Sequence, residues 1–198
     1  MKYLSIITNF EGPHIGVPST TISSLDKLKA AVEFEKAEVI SVTGGDPLFE
    51  YEKHQKYFRR LLKACKEMDI PLELHTATIE SEFPYGKCMR VVYHLRDFDQ
   101  LASIVRHGHE GIRVAFTVDK SWTLDLIDKI ADFCDSSDVI DELYFRRATA
   151  KGHSVGRCCE EYLHEGDGKR WTYVEKFKEN PPYFINGMIF YEFSDISM

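Results

Sequence analysis

Thr43-Gly44-Gly45-Asp46-Pro47-Leu48 follows the apolar run 39–42 and precedes a charged segment with helical spacing. A strand that ends in two glycines, an acid and a proline is typical of a ligand-binding loop between a strand and a helix. Glycine lets backbone N–H groups approach a small molecule, and the acid can bind a cationic group. A tight turn that starts a helix would use the same residue types. The sequence on either side of this stretch decides between a ligand-binding loop and a structural turn.

Strand and helix patterns alternate on both sides of this stretch, which predicts parallel strands joined by right-handed crossovers. The predicted strands cover 3–7, 38–42, 70–75, 88–95, 111–118 and 143–147. The predicted helices run from Ser23 or Ser24 to Ala37, over 51–68, from Asp97 to Arg106, and from Ser121 to Cys134. Pro84 and Gly86 in the third crossover leave room for a single helical turn at most.

Several predicted strands alternate between apolar and polar residues, as Leu72 and Leu74 do with Glu73 and His75. Parallel strands covered by helices on both faces would be apolar throughout. We therefore expect an incomplete (β/α)6 barrel over residues 1–150, with helices outside and a polar, cationic lumen. Residues 151–198 are expected to form an extension that packs on the barrel and contains a hairpin with a type I′ turn within 182–190.

Composition narrows the class of protein. The chain has 198 residues, a net charge of −7 and five irregularly spaced cysteines. These features predict a cytoplasmic protein with reduced thiols, without affinity for nucleic acid or anionic membranes. No apolar run is long enough to span a bilayer, and no signal peptide is expected.

Placed in a six-unit scaffold, the loop 43–48 resembles the second-strand loop of the radical S-adenosylmethionine superfamily. The sequence Gly-Gly-Asp-Pro-Leu also occurs in its glycyl-radical-activase branch, which includes the activase of anaerobic ribonucleotide reductase. The end of the third strand, Leu74-His75-Thr76, is similar too. The resemblance covers residues 1–150 and implies that Asp46 contacts the amino group of the methionine moiety. S-Adenosylmethionine is therefore a possible ligand.

The same resemblance implies three cysteines spaced C-x3-C-x2-C after the first strand, which bind a 4Fe–4S cluster. In the matching frame this chain has Thr8, Gly12 and Ile15. None of them supplies the thiolate that cluster iron requires. A cluster and radical chemistry are therefore not expected, and no cofactor is required.

The other cysteines do not restore the missing set. Cys65 and Cys134 have the helical positions of buried thiols. Cys158 and Cys159 could form an unusual metal site with His153 or His164, although no recognised spacing supports one.

The predicted ligand site lies in the lumen and at the carboxyl ends of the strands, where barrel sites usually lie. Its candidate residues are Thr43, Gly44, Gly45, Asp46, His75, Arg90, His94, Arg96, Arg113 and Arg146. Arginines in a semi-enclosed space favour an anionic ligand, nucleotide-like or amino-acid-like. The alternative is a structural network in which Glu73 and solvent balance the arginines. Acidic residues of the 121–134 helix, such as Asp128 and Asp132, are expected to form a solvated face.

Three functional hypotheses remain. The first is a pseudoenzyme without a cluster that binds an anionic small molecule or a protein partner through the lumen. The second is a working radical enzyme or activase with non-standard cluster ligands, or with a cluster borrowed from a partner. The third is a cluster-independent lyase or hydrolase with Asp46, Glu73, His75 or His94 as acid and base. The missing thiolates favour the first.

Overall fold

The computed structural model describes residues 1–8, 10, 19–80, 82–148, 155–175 and 181–192. The chain has an α/β fold with a mostly parallel sheet and outer helices. The strands are β1 (Tyr3–Thr8), β2 (Val39–Gly44), β3 (Leu72–Thr76), β4 (Arg90–Leu95), β5 (Gly111–Val118), β6 (Glu142–Arg147), β7 (Thr172–Val174), β8 (Tyr183–Ile185) and β9 (Met188–Phe190). The α-helices are α1 (Leu28–Glu35), α2 (Tyr51–Met68), α3 (Leu124–Ser136) and α4 (Arg157–Gly166), and 3-10 helices cover Ser23–Lys27, Tyr85–Lys87 and Phe98–Ser103.

The chain divides into two compact units. The first comprises residues 1–91, 107–110 and 179–198, and the second comprises residues 92–106 and 111–178. In the first unit β1 pairs in parallel with β2 and with β8, and β2 pairs in parallel with β3. The backbone N–H of Met89 donates to the carbonyl oxygen of Leu72, so the chain that enters β4 runs alongside β3.

The register of these strands places three buried polar residues in one row. Ser5 is paired with Ser41, and Ser41 with Glu73. Paired residues of parallel strands point to the same face of the sheet, so this polar row lies on one face. The polar side of the alternation predicted for the third strand is therefore present at Glu73, and it continues through β2 to β1.

The predicted hairpin is confirmed. β8 and β9 are antiparallel, and the residues between them, Asn186 and Gly187, have φ values of 49° and 82°. Two consecutive positive φ values are those of a type I′ turn. Because β8 pairs with β1, the hairpin covers that edge of β1, and Tyr183 and Ile185 of β8 pack against Ile7.

Helix α2 has the bounds that its periodicity predicted, Tyr51–Met68. Its buried residues, which recur at helical spacing, are Tyr51, Tyr57, Phe58, Leu61, Leu62 and Cys65. The Phe58 ring contacts the ring of Phe83 edge-on at 5.4 Å between centroids. Phe10, from the loop after β1, stacks on His54 at 3.9 Å. Aromatic burial on this scale fixes the helix against the loops that surround it.

In the second unit β5 and β6 pair in parallel, and β7 pairs in parallel with β6. The sequence predicted neither α4 nor β7. The predicted cap of α3, Ser121, was also wrong, since the hydroxyl of Thr123 accepts the N–H of Leu126. The hydroxyl of Ser121 donates instead to Asp119, two residues earlier.

Other element ends and caps also differ from the sequence prediction. The helix expected after Asp97 is a short 3-10 helix that ends at Ser103, although the predicted cap is present as a capping box with Gln100. β4 begins at Arg90 rather than Cys88. No side chain caps the helical segment that begins at Ser23. The presence of these strands and helices follows from the hydrophobic periodicity of the sequence. Their exact ends depend on local hydrogen bonds.

The acidic face of α3 is organised by one arginine. Arg170 donates to Asp132 at 2.6 Å, to Asp135 at 2.9 Å and to Asp128 at 3.4 Å. The expectation of a merely solvated face was therefore incomplete. One guanidinium joins α3 to the turn before β7 and relieves the repulsion among three carboxylates. Across the ranges described above, no helix combines the length and apolarity needed to cross a bilayer.

We expect Arg170→Gln to lower the free energy of unfolding by about 1 kcal/mol at low salt, because three carboxylates then face each other without a cation. The difference should shrink in concentrated NaCl, which screens the repulsion. Urea denaturation at two salt concentrations measures both effects. Arg157→Gln removes a fully exposed ion pair with Glu161 and should change stability by less than about 0.5 kcal/mol. Equal effects of the two variants would contradict the role of Arg170.

Candidate ligand-binding site

The carboxyl ends of β1 and β2 are in close contact. Gly44 has φ +128°, and a Cβ atom at this position would lie 2.6 Å from the carbonyl oxygen of Thr8. That oxygen accepts the N–H of Gly45 at 3.2 Å, and the Thr8 hydroxyl donates to the carbonyl oxygen of Thr43 at 3.3 Å. Glycine is therefore required at position 44 for both conformation and space.

The Asp46 carboxylate is held by three protein donors. Its Oδ1 accepts the hydroxyl of Thr76 at 2.6 Å and the N–H of Leu48 at 3.2 Å, and its Oδ2 accepts the hydroxyl of Thr78 at 2.6 Å. An ionised carboxylate offers about four acceptor positions. Asp46 is half-buried, so its orientation is fixed while one position is left for a further donor.

A second acidic group, Glu73, lies on β3 three residues before Thr76. Glu73 is buried, and its two carboxylate oxygens are shared between His75 Nε2 at 2.8 Å and Arg90 Nη1 at 3.0 Å. A buried carboxylate needs such partners to offset its lost hydration. The polar row thus ends in a cluster in which the Glu73 carboxylate contacts one arginine and one imidazole.

In the second unit Arg113 is also paired. Its Nε and Nη2 donate to one oxygen of Glu142 at 2.9 and 2.6 Å, and its guanidinium carbon lies 4.1 Å from the ring centre of Tyr144. Arg113 and Arg90 therefore each have a carboxylate partner within the protein. The partner of Arg90 is Glu73, as in the structural alternative, whereas the partner of Arg113 is Glu142, which the sequence analysis did not name. A paired guanidinium can still donate to a ligand.

The remaining candidates of the second unit differ in exposure. Burial lowers the pKa of Arg146 from its usual range, and its Nη2 donates weakly to the Thr117 hydroxyl at 3.4 Å. His94 is half-buried on β4. Arg96 follows the end of β4 with an exposed side chain, and its backbone N–H donates to Gln100.

The predicted site residues are distributed over both units. The first unit holds Thr43, Gly44, Gly45, Asp46, His75 and Arg90, and the second holds His94, Arg96, Arg113 and Arg146. Within the first unit, Asp46 accepts a hydrogen bond from Thr76 of β3. His75 and Arg90 both contact Glu73 of the same strand. Sequence reasoning missed Thr76 and Thr78 as partners of Asp46. Thr76 ends β3 and Thr78 lies two residues later, and hydroxyl residues at a strand end were the available signal.

The residues at the three cluster positions do not fit a 4Fe–4S cluster. Thr8 is fully buried, and its hydroxyl is hydrogen-bonded to the backbone. Gly12 and Ile15 lie outside the described residues, and neither residue type has a donor side chain. An aliphatic hydroxyl is not the soft ligand that cluster iron requires.

The cysteines of the described chain differ from the thiolates that bind iron. Cys65 and Cys134 are buried, as predicted, and burial raises the pKa of each thiol to about 12. Cys159 is buried and donates to the carbonyl oxygen of Trp122, whereas Cys158 is exposed. Among the residues described, no group of three or more His, Cys, Asp or Glu side chains is arranged to hold a metal ion. The possible partner His153 lies outside them.

Comparison with solved structures identifies the class of fold. The structure of Streptococcus suis SuiB bound to S-adenosylmethionine has a TM-score of 0.57 at 14% sequence identity, over 89% of this chain and 50% of SuiB. A second structure of SuiB has a TM-score of 0.54 at 13% identity, over 88% of this chain and 49% of SuiB. This chain thus spans about half the length of SuiB.

At these identities the likeness shows the fold alone, which is radical-SAM-like. No protein-family model matches the chain, and no curated protein matches it by sequence. The superfamily resemblance read from residues 43–48 and the architecture of the chain therefore agree at the level of the fold.

We expect Gly44→Ala to lower the free energy of unfolding by about 2 kcal/mol or more, because φ +128° strains an L-residue and the new methyl group meets the Thr8 carbonyl. Gly156→Ala is the matched control, since a Cβ there meets nothing within 4 Å and φ is −62°. Its cost should stay below about 1 kcal/mol. Chemical denaturation of both variants tests the contact, and equal stabilities would contradict it.

Proposed function

We propose that this chain is a radical-SAM-like pseudoenzyme without a cluster, which binds an amino-acid-like or nucleotide-like anion at the carboxyl ends of its strands. The proposed scaffold is an incomplete (β/α)6 barrel. The observation that carries the proposal is Asp46, whose carboxylate is fixed by two threonine hydroxyls in a loop that the close contact of Gly44 with Thr8 holds in place.

Asp46 would bind the cationic amino group of an amino-acid-like ligand. The hydroxyls of Thr76 and Thr78 fix both of its oxygens, so little side-chain entropy is lost when a ligand binds. A charged donor would add a charge-assisted bond at the remaining acceptor position. S-Adenosylmethionine carries an amino group on its amino-acid moiety and is therefore the first candidate ligand. A structure of SuiB contains it.

The anionic part of the ligand needs cationic or neutral donors. Arg90, whose Nη1 donates to Glu73, is the donor proposed for this part, because a guanidinium carries five N–H groups. Because positions 8, 12 and 15 supply no thiolates, no cluster iron is available to chelate the ligand. Affinity for S-adenosylmethionine should therefore be weaker than in relatives with a cluster. A protein partner at the same strand ends is the alternative occupant, and nucleic acid and membranes are not proposed as partners.

Thermal unfolding with S-adenosylmethionine, methionine, ATP and inorganic phosphate tests the proposal. A ligand at a hundred times its Kd adds about 2.7 kcal/mol to stability, which corresponds to a rise in Tm of about 5–10 °C for a chain of this size. We expect one of the amino-acid-like or nucleotide-like compounds to reach this range. Inorganic phosphate, which has no amino group, should not.

Two variants locate the binding. Asp46→Asn keeps the shape of the side chain but removes its charge, and should weaken binding by about 10–100-fold. Thr78→Val keeps the charge but frees one oxygen, and should cause a smaller loss. Asp99→Asn, an exposed residue outside this site, is the control and should bind as the wild type does. Wild-type affinity in Asp46→Asn, or no stabilisation by any compound, would contradict the proposal.

The contact between Glu73 and His75 favours one second candidate, a cluster-independent acid–base enzyme. A buried carboxylate that orients an imidazole is a recurring arrangement for proton transfer. The two candidates differ in the fate of the ligand. A binding protein returns the bound compound unchanged, whereas an enzyme converts it in a reaction that His75→Gln slows. Mass spectrometry of the ligand after prolonged incubation separates them.

A further inference from the structure

A cavity lies in the first unit, between the carboxyl-terminal half of α2, the entry to β3 and the 3-10 helix at Tyr85–Lys87. Its volume is about 520 Å³, within the usual range of small-molecule sites. The residues that line it are Arg59, Leu62, Lys63, Cys65, Lys66, Ile70, Pro71, Leu72, Pro84 and Lys87. They come from both sides of the turn that joins α2 to β3.

The cavity has an apolar floor and a cationic rim. Leu62, Cys65, Ile70 and Leu72 are buried apolar residues. Burial keeps the Cys65 thiol protonated, with its pKa raised to about 12, so the sulfur acts as an apolar surface. Four exposed basic residues surround this floor, and no acidic residue is among those that line the cavity. An apolar body with one negative group fits such a lining.

This cavity is separate from the loop that holds Asp46. That loop leads into the start of α2 at Tyr51, and the cavity is lined from Arg59 onward. A helix rises 1.5 Å per residue, so Lys66 lies about 22 Å along the axis from Tyr51. The cavity thus belongs to the amino end of β3, opposite the strand ends where the proposed site lies.

The positive charges at the rim are weakly compensated. Arg59 donates to the neutral side chain and carbonyl oxygen of Gln55. Lys63 lies 3.6 Å from Glu67, and both of these side chains are largely exposed, so the pair is screened by water. The carboxyl end of α2 adds a partial negative charge of about one half, which four whole positive charges outweigh.

A neighbouring cavity on the same helix shows the contrast. It has a volume of about 310 Å³ and includes Asp26 and Glu67 in its lining along with three basic residues. Asp26 is bound by Arg60. Two of its three basic residues are therefore paired with an acid of the same lining, whereas the lining of the larger cavity contains no acid. The local excess of positive charge at this cavity also contrasts with the net charge of −7 of the whole chain.

We propose that the 520 Å³ cavity binds a small amphipathic anion, an aromatic or alkyl group that carries one carboxylate or phosphate. The apolar part packs on Leu62, Ile70 and Leu72, and the anionic group is held by Lys66 and Lys87 at the rim. Apolar burial and charge attraction both contribute, so neither a neutral compound nor an inorganic anion should bind as well. This inference does not depend on the function proposed for the Asp46 site.

Titration of the isotopically labelled full chain with phenyl phosphate, followed by amide chemical shifts, tests the inference. We expect saturable shifts centred on residues 62–72 and 87, with benzyl alcohol and inorganic phosphate each binding more weakly. The double variant K66Q/K87Q should bind phenyl phosphate about tenfold more weakly, because two cationic donors are lost. Lys56→Gln, an exposed lysine of α2 that does not line the cavity, should bind as the wild type does.

Three results would overturn the inference. They are the absence of saturable shifts, equal affinity in the double variant and the wild type, and shifts confined to residues 43–46. The last result would place the compound at the proposed Asp46 site and would leave that proposal intact. The position of the shifts therefore separates the fate of this inference from that of the Asp46 proposal.

Discussion

The close approach of β2 to β1 at Gly44 is the constraint on which the site depends. The glycine has a backbone conformation that other residues rarely adopt, and it lies against the carbonyl of Thr8. This contact lets the N–H of Gly45 bond to the same carbonyl, so the loop turns sharply away from the strand. Asp46 is thereby carried across to the end of β3, where Thr76 binds its carboxylate. A side chain at position 44 would separate the two strand ends and displace the acid.

Thr8 supports this constraint without acting as a metal ligand. Thr8 takes part in the β1–β2 contact through its backbone, which any residue type supplies, and through its hydroxyl, which bonds to the Thr43 carbonyl. A hydroxyl at this position therefore supports the loop without binding iron. The ligand binding proposed for Asp46 needs only the loop, whereas radical chemistry needs thiolates as well. The proposed function follows from this division.

The sequence predicted the elements whose pattern is strongly periodic, and missed those that tertiary contacts decide. The helix over 51–68 and the strand over 111–118 have the predicted bounds, because long apolar periods leave few alternatives. The helix Arg157–Gly166 was missed because its charged residues obscure a short apolar face. Asp46 could be singled out by its glycines. Its partner Thr76 could not, since 30 residues separate them and only the parallel pairing of β2 and β3 brings them together.

Iron and sulfide content after anaerobic purification and reconstitution tests the central claim most directly, that the site keeps its ligand loop without the means to hold a cluster. The variant with cysteine at positions 8, 12 and 15 serves as the comparison for the same assay. We expect the natural chain to hold no stoichiometric iron or sulfide and to show no charge-transfer absorption after excess reagent is removed. A content of about four irons and four sulfides per natural chain would contradict the claim, because it would require cluster ligands other than the three expected thiolates.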